Sequence, residues 1–456
     1  MSGREPGGPR PPGKHCHLAV LPHAQLRSSG GTAVPGVDDT TVWAGPDSKK
    51  SQIEFSSFER LARTAERGLF DFLLLAEGLR LPEHKGHVHD LDVVGRPESL
   101  TVLNALAAVT ENLGLAATVD ATFNEPFELA RRLATLDHLS GGRAAWHVVT
   151  SSDALTGENF RRGGYLDHAD RYHRAAEFVA AARELWDSWT PDEVSRPFAH
   201  RGRHFDIAGE FTLPRSPQGR PVVIHAGEDQ AGDPGEEGRE FAAATADVVL
   251  TRHGTLEAGR ARYADVKGRL ARYGRGPDEL KVLTGITVVL GDTAAEAQER
   301  AAMIRRQQVS PQSALLALER LWGVDLSAYD PDGPLPGVDP VADPRLTGGR
   351  TRPGDTVAVV GKLRALSKEK GLSIRQTVIE TSARQSFIGT PEAVAADLEE
   401  FVREDAADGF VLVPQLTPGG LDEFVDRVVP LLQERGVFRT EYEGNTLRSH
   451  LGLPAR

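Results

Sequence analysis

The chain has 456 residues, 39% apolar and 26% charged, with a formal net charge of −12 at pH 7. That acidic balance argues against sequence-independent nucleic-acid binding, which needs a basic surface, and no run approaches the roughly 18 apolar residues of a membrane span. The one cysteine, Cys16, excludes an intramolecular disulfide and a cysteine-built metal cage, and with no signal-peptide core at the start the expected location is cytoplasmic.

Residues 1–14, rich in Gly, Pro and Arg, are expected to be a disordered tail, followed by a single domain over 15–456. HCHLAVL at 15–21 reads as a first strand. A long polar loop holding Trp43 follows, then a helix over 55–68 with apolar residues at helical spacing. FDFLLLAE (70–77) is the second strand and LGLAATVD (113–120) the third, with a helix over 99–110 between them. A helix over 127–139 leads through the Ser140, Gly141, Gly142 turn into the fourth strand, 143–150. Because these runs are apolar on both faces, they belong to a parallel sheet covered by helices.

Downstream, the spacing predicts a helix over 172–189 and, within a polar insertion at 190–220, a hairpin in HRGRHFDIAGEF. Strands five, six and seven are PVVIHAGE (221–228), ADVVLTRH (246–253) and LKVLTGITVVL (280–290). GRGPDE near 274 is a turn, since no phosphate-loop pattern surrounds it, and HKGHVH (84–89) reads as a solvated loop without metal-ligand spacing. A Gly/Pro-rich insertion over about 309–387, with two short helical patches, reads as a lid or packing excursion. A helix over 391–404, an eighth strand GFVLVPQ (409–415) and a final helix over 421–433 complete the series. Strand and helix alternation of this kind is the signature of an α/β fold, a (β/α)8 TIM barrel with long insertions; a doubly wound open sheet is the weaker option. In either, ligands bind where strands end, so His147, Thr150 and Ser151 at the mouth of strand four are the first place to look for chemistry.

SGGRAAWHVVTS (140–151), TFNEPFELARRLATLDHLSGGR (122–143), HADRY (168–172), PRSPQGRP (214–221) and GVFRTEYEGNTLRSHLGL (436–453) resemble the family of nitrilotriacetate monooxygenase component A and the pristinamycin IIA synthase large subunit. That family is the long-insert branch of the bacterial-luciferase-like flavin-dependent monooxygenases. The resemblance runs from about His15 to Leu453 and implies a luciferase-like barrel that binds reduced FMN supplied by a separate flavin reductase. Such enzymes use dioxygen to oxygenate a small organic substrate, need no metal, and are commonly homodimers.

The same resemblance implies a phosphate site at His168, Arg171 and Tyr172, where a helix start, a guanidinium and a hydroxyl meet the needs of an anion. It places Glu77, Thr118, Asp120, His147 and Thr150 around the flavin, with departures: His147 stands for the usual Asn, Glu77 for Asp, and Asp120 for Ser or Thr. His147 is the expected catalytic residue, as a ring hydrogen-bonding group or a proton donor near neutral pH. After strand five the family's hydroxyl-bearing turn is replaced by Glu228 and Asp229, followed by the acidic DPGEEG, and Ala44 follows Trp43 where Arg is usual. Carboxylates close to a phosphate dianion repel it by several kcal/mol, given a pair term of about 4 kcal/mol at 4 Å, unless they turn away or pair with Arg239 or Arg252. These changes leave two alternatives open: a deazaflavin-dependent oxidoreductase, and a flavin-free accessory or binding barrel.

Overall fold

The computed structural model describes residues 14–22, 42–43, 53–79, 83–84, 87–88, 97–150, 159–160, 168–226, 235–253, 255–341, 353–381, 386–417 and 419–456. The expected disordered tail, apart from Lys14, and Glu228 and Asp229 lie outside these residues.

All eight expected strands form, each trimmed at one or both ends: β1 His17–Val20, β2 Phe72–Leu75, β3 Gly114–Asp120, β4 Ala144–Val149, β5 Val222–Ala226, β6 Val248–Thr251, β7 Lys281–Leu290 and β8 Gly409–Leu412. Neighbours in this order pair in parallel, and β8 returns to pair with β1, so the sheet closes into a barrel and the open-sheet option falls. The double-sided apolar pattern follows from this closure. In β2, Phe72 and Leu74 fill the barrel interior with Ala116, Ala145, Ile224, Leu250 and Leu283, while Leu73 and Leu75 pack outward against the helices.

The covering helices are α1 Phe55–Arg67, α2 Ser99–Ala107, α3 Pro126–Leu139, α4 His168–Asp187, α5 Gly235–Thr245, α6 Leu256–Arg269 and α7 Ala294–Gln308. Helix α4 begins at His168 rather than Tyr172, because its polar first turn carries no apolar periodicity even though Asp170 there suits the helix dipole. Helices α5 to α7 are additional to the expected elements; α6 buries only Gly259 and Val266. Gly259 is required there: a Cβ would lie 2.7 Å from His253 Nε2.

The 190–220 insertion forms the expected antiparallel hairpin, Phe198–Arg201 against Asp206–Gly209. The residues around HKGHVH form a small antiparallel pair, Glu83–His84 with His87–Val88. Among the described residues the long excursion holds three helices rather than two short patches: α8 Pro311–Trp322, α9 Pro353–Lys370 and α10 Ile374–Thr381, around a core of its own that includes Leu318, Trp322, Val360, Ile374 and Val378. It returns as an extra strand, Ser386–Gly389, that pairs in parallel with the second half of β7. Helices α11 Pro391–Arg403, α12 Gly420–Arg427, α13 Val429–Glu434 and α14 Leu447–His450 complete the chain.

At the amino ends of the strands, an aspartate stands immediately before β2, β6 and β8. Asp71, Asp247 and Asp408 accept a hydrogen bond from the N–H of Leu18, Val223 and Val282 respectively, each on the neighbouring strand. Burial alone raises each carboxyl; Arg439 and His17, Arg448, and Lys267 respectively overcome that and hold it below its usual range. Two of these cations come from the last stretch of chain, which also sends Leu447, Leu451 and Leu453 into the barrel interior cluster. Gly114 makes room for this plug, since a Cβ there would meet the Leu447 side chain at 2.6 Å.

Candidate active site

At the carboxyl ends the interior turns polar. Ala116 and Ala145 line the barrel, so by strand alternation Thr118, Asp120 and His147 continue the same face toward the mouth. Thr118 and His147 are direct cross-strand partners, with Thr118 Oγ1 3.0 Å from His147 Nδ1. The other ring nitrogen, Nε2, is covered and has no hydrogen-bond partner among the described residues. Burial, with the nearby His225 adding, pushes His147 down to about 3. Desolvation at this position favours the uncharged imidazole.

Asp120 does not project a free carboxylate. Its Oδ1 accepts from the N–H of Thr122 at 2.6 Å and of Phe123 at 3.3 Å, closing the turn after β3, and its carbonyl accepts from Asn124 Nδ2. Glu77, just past β2, accepts no hydrogen bond from the described residues. Burial first, then the carboxylates of Glu98 and Asp120, push it up to about 7, against the pull of Arg132. Glu98 is itself engaged as the cap of α2, accepting from Leu100 and Thr101 N–H. Above these groups Phe123 stacks on Phe160 with ring centroids 4.3 Å apart and planes 5° from parallel, and Asn159 donates to the Leu79 carbonyl.

The second half of the site lies where α4 starts. His168 is the first residue of the helix, and Arg171 and Tyr172, both about 95% covered, sit one turn in. The Arg171 guanidinium lies 5.1 Å from the Tyr172 ring. Tyr172 meets His225 of β5 edge-on at 6.4 Å and Phe241 of α5 at 6.0 Å. Thr150 immediately follows β4, partly exposed. Of the acidic run after β5, Glu236 and Glu237 occupy the first turn of α5, where the dipole favours them, and Glu236 pairs with Arg269 at 2.7 Å and Arg239 at 3.5 Å.

Two residues of this end were not singled out from the sequence. His225 is 4% exposed, with Nδ1 3.2 Å from the Val148 carbonyl oxygen and Nε2 without a partner among the described residues. Gln415, past β8, is 8% exposed with its Oε1 unpartnered among the described residues, next to the short parallel pair of Leu416–Thr417 with Val42–Trp43. A polar residue within an otherwise apolar strand end was the available signal for both.

A closed parallel barrel with the Nε2 atoms of His147 and His225 left without a partner among the described residues at its strand mouths defines the class: a (β/α)8 protein with a candidate ligand site at its carboxyl end. Residues 39–409 match the family described as Luciferase-like monooxygenase. The chain is 40% identical over 431 residues to N-acetyl-S-(2-succino)cysteine monooxygenase of Bacillus subtilis (strain 168), covering 90% of this chain and 93% of that protein. It is 39% identical over 438 residues to nitrilotriacetate monooxygenase component A of Aminobacter aminovorans, with the same coverage. Among solved structures, DmoA from Hyphomicrobium sulfonivorans superposes with a TM-score of 0.76 at 29% identity, covering 96% of this chain and 92% of that one. The protein belongs to the luciferase-like monooxygenase family, as the motifs around HADRY implied.

Proposed function

We infer that this protein is the oxygenating component of a two-component system: it takes reduced FMN from a separate flavin reductase and oxygenates a small organic substrate. The observation that carries this reading is the burial of Arg171 and Tyr172 at the start of α4, next to the mouths of β4 and β5, with the open Nε2 of His147 in the same barrel end. A buried guanidinium, a phenol and a helix start suit a terminal phosphate. An orphaned ring nitrogen suits the polar edge of a flat heterocycle. The residues therefore fit the cofactor that the family uses. His168 and Thr150 would stand beside the phosphate and the ring respectively; Glu228 and Asp229 follow the same strand end as Ala226.

Bound reduced flavin supplies activation of dioxygen, with one oxygen atom passing to the substrate and the other leaving as water. The chain's own contribution is positional. Thr118 fixes the ring plane of His147, the Phe123 and Phe160 stack shields the mouth from water, and Glu77, half protonated near pH 7, holds or releases a proton there. Asp120 is tied into its turn by the N–H groups of Thr122 and Phe123.

Calorimetry under nitrogen tests the reading. Reduced FMN should bind the wild-type chain, and Arg171→Leu should weaken it at least tenfold while thermal stability is kept; a deazaflavin titrated in parallel should not bind. Absence of FMN binding, or equal affinity in the variant, would sink the assignment.

A further inference from the structure

The hairpin of the 190–220 insertion has no part in the proposed function, yet its tip is fastened to the helix that carries the site. Asp170, Arg174 and Glu177 fall at i, i+4 and i+7, one stripe along α4, and each meets the turn between the two hairpin strands. Arg203 Nη2 lies 2.9 Å from Asp170 Oδ1, and His204 Nε2 lies 3.6 Å from the same oxygen. The Arg174 guanidinium lies 4.3 Å from the Phe205 ring. Glu177 enters the turn itself, where its carboxylate accepts from the N–H of His204 at 3.0 Å and of Phe205 at 2.8 Å. Two turns further along the helix, Glu184 Oε1 lies 3.0 Å from His200 Nδ1.

Gly202 is what admits that carboxylate, since a Cβ there would run into Glu177 Oε1. Burial alone raises the Glu177 carboxyl; the two turn N–H groups and the His200 ring, 3.5 Å away, overcome that and hold it below its usual range. The tip also reaches β4. Phe205 meets Phe178 of α4 edge-on at 5.5 Å, and Phe178 lies 5.5 Å from Trp146, the residue before His147. Among the described residues, the apolar anchoring of α4 in the core begins at Tyr172 and continues with Ala175, Phe178 and Val179. Ahead of it stands Asp170, beside Arg171 in the chain, and the contacts that fix Asp170 come from the hairpin tip.

We propose that Glu177 is a positioning residue for cofactor binding: by locking the hairpin tip onto α4 it sets the first turn of that helix, and with it the placement of Arg171 and Tyr172 against the cofactor phosphate. Arg203 and His204 pass the constraint on at Asp170. This rests on the reading of Arg171 and Tyr172 as the cofactor-phosphate site, and deepens it by naming what holds that site in place from outside the barrel. The consequence is selective. A flavin that carries the phosphate feels a loosened tip, and one that lacks it does not, whereas a tip that served stability alone would not tell the two apart.

The experiment is anaerobic calorimetry of the full chain with reduced FMN and with reduced riboflavin. Two substitutions break the lock independently: Glu177→Gln removes the charge, and Gly202→Ala drives the carboxylate out of the turn without changing it. Each should weaken FMN binding about fivefold and leave riboflavin affinity unchanged. A double-mutant cycle shows whether the effect runs through Arg171: added to Arg171→Leu, Glu177→Gln should cost no further FMN affinity. Unchanged FMN affinity in both variants, an equal loss for riboflavin, or a loss that adds in full to that of Arg171→Leu overturns the proposal and leaves the FMN reading intact. If neither variant folds, Arg203→Gln decides, since that side chain is 72% exposed and its loss spares the fold. A loss of about threefold confined to FMN supports the proposal, and no loss refutes it. Failure of the wild-type chain to bind FMN overturns both.

Discussion

The aspartates before β2, β6 and β8 at the amino end of the barrel and the polar groups at its carboxyl mouths are held differently. At the amino end every aspartate that precedes a strand has both a backbone donor and a cation: Asp71 with Leu18 and Arg439, Asp247 with Val223 and Arg448, Asp408 with Val282 and Lys267. At the carboxyl end His147, His225 and Gln415 each leave a covered atom without a hydrogen-bond partner among the described residues, and Glu98 and Asp120 outweigh Arg132 at the carboxyl of Glu77. Burial by itself therefore does not decide how a polar group is held. Where charges are matched within the chain they fix strand register and seal the barrel; where they are left open they await something from outside.

The largest test of this contrast breaks a matched pair. Arg448→Met should lower stability by about 3–5 kcal/mol, read from urea unfolding, because it strands the buried Asp247 carboxylate. The double variant with Asp247→Asn should recover a good part of that, and a single variant as stable as wild type would show that the amino-end pairs do not carry the weight given to them.

A smaller effect of opposite sign is expected at Glu77. Its folded pKa is raised, so the native state holds its proton more tightly than the unfolded chain does, and stability falls as pH rises from about 4.5 to about 7. Glu77→Gln should remove that decline and raise stability at pH 8 by about 1 kcal/mol, after allowing for the solvent that still reaches the group. Thermal melts at pH 5 and pH 8 give the comparison; a variant no more stable than wild type at pH 8 would place Glu77 among the satisfied groups.

The smallest effect is at His147. Since the imidazole is uncharged from pH 5 to pH 9, His147→Asn should change reduced-FMN affinity by only a few-fold and leave its pH profile unaltered. A step near pH 6.5 that disappears in the variant would contradict the neutral ring.

Much of the barrel was legible because its strands are apolar on both faces, a pattern that burial between interior and helix layer forces on them. Helices α5 to α7 were not, since α6 meets the barrel through little more than Gly259 and Val266 and its remaining residues are polar. At the site, HADRY was readable as a motif, yet the start of α4 was misplaced by a turn. The tie between Asp120 and the Thr122 N–H depends on a local turn, and the state of His225 depends on a carbonyl from another strand; spacing along the chain encodes neither. The Asp that stands before β2, β6 and β8 is different. It recurs in FDFLLL, ADVVL and ADGFVL, a signal that could have been found.

The plug formed by Leu447, Arg448 and Leu451 carries a further consequence for how the molecule is made. During synthesis β1 emerges first, but its partner β8 and the plug emerge last, so neither the circle nor its floor exists while most of the chain waits outside the ribosome. Nascent molecules must therefore pass through a long interval with an unsealed apolar tube, and their dependence on chaperones should be governed by the tail and not by the catalytic loops.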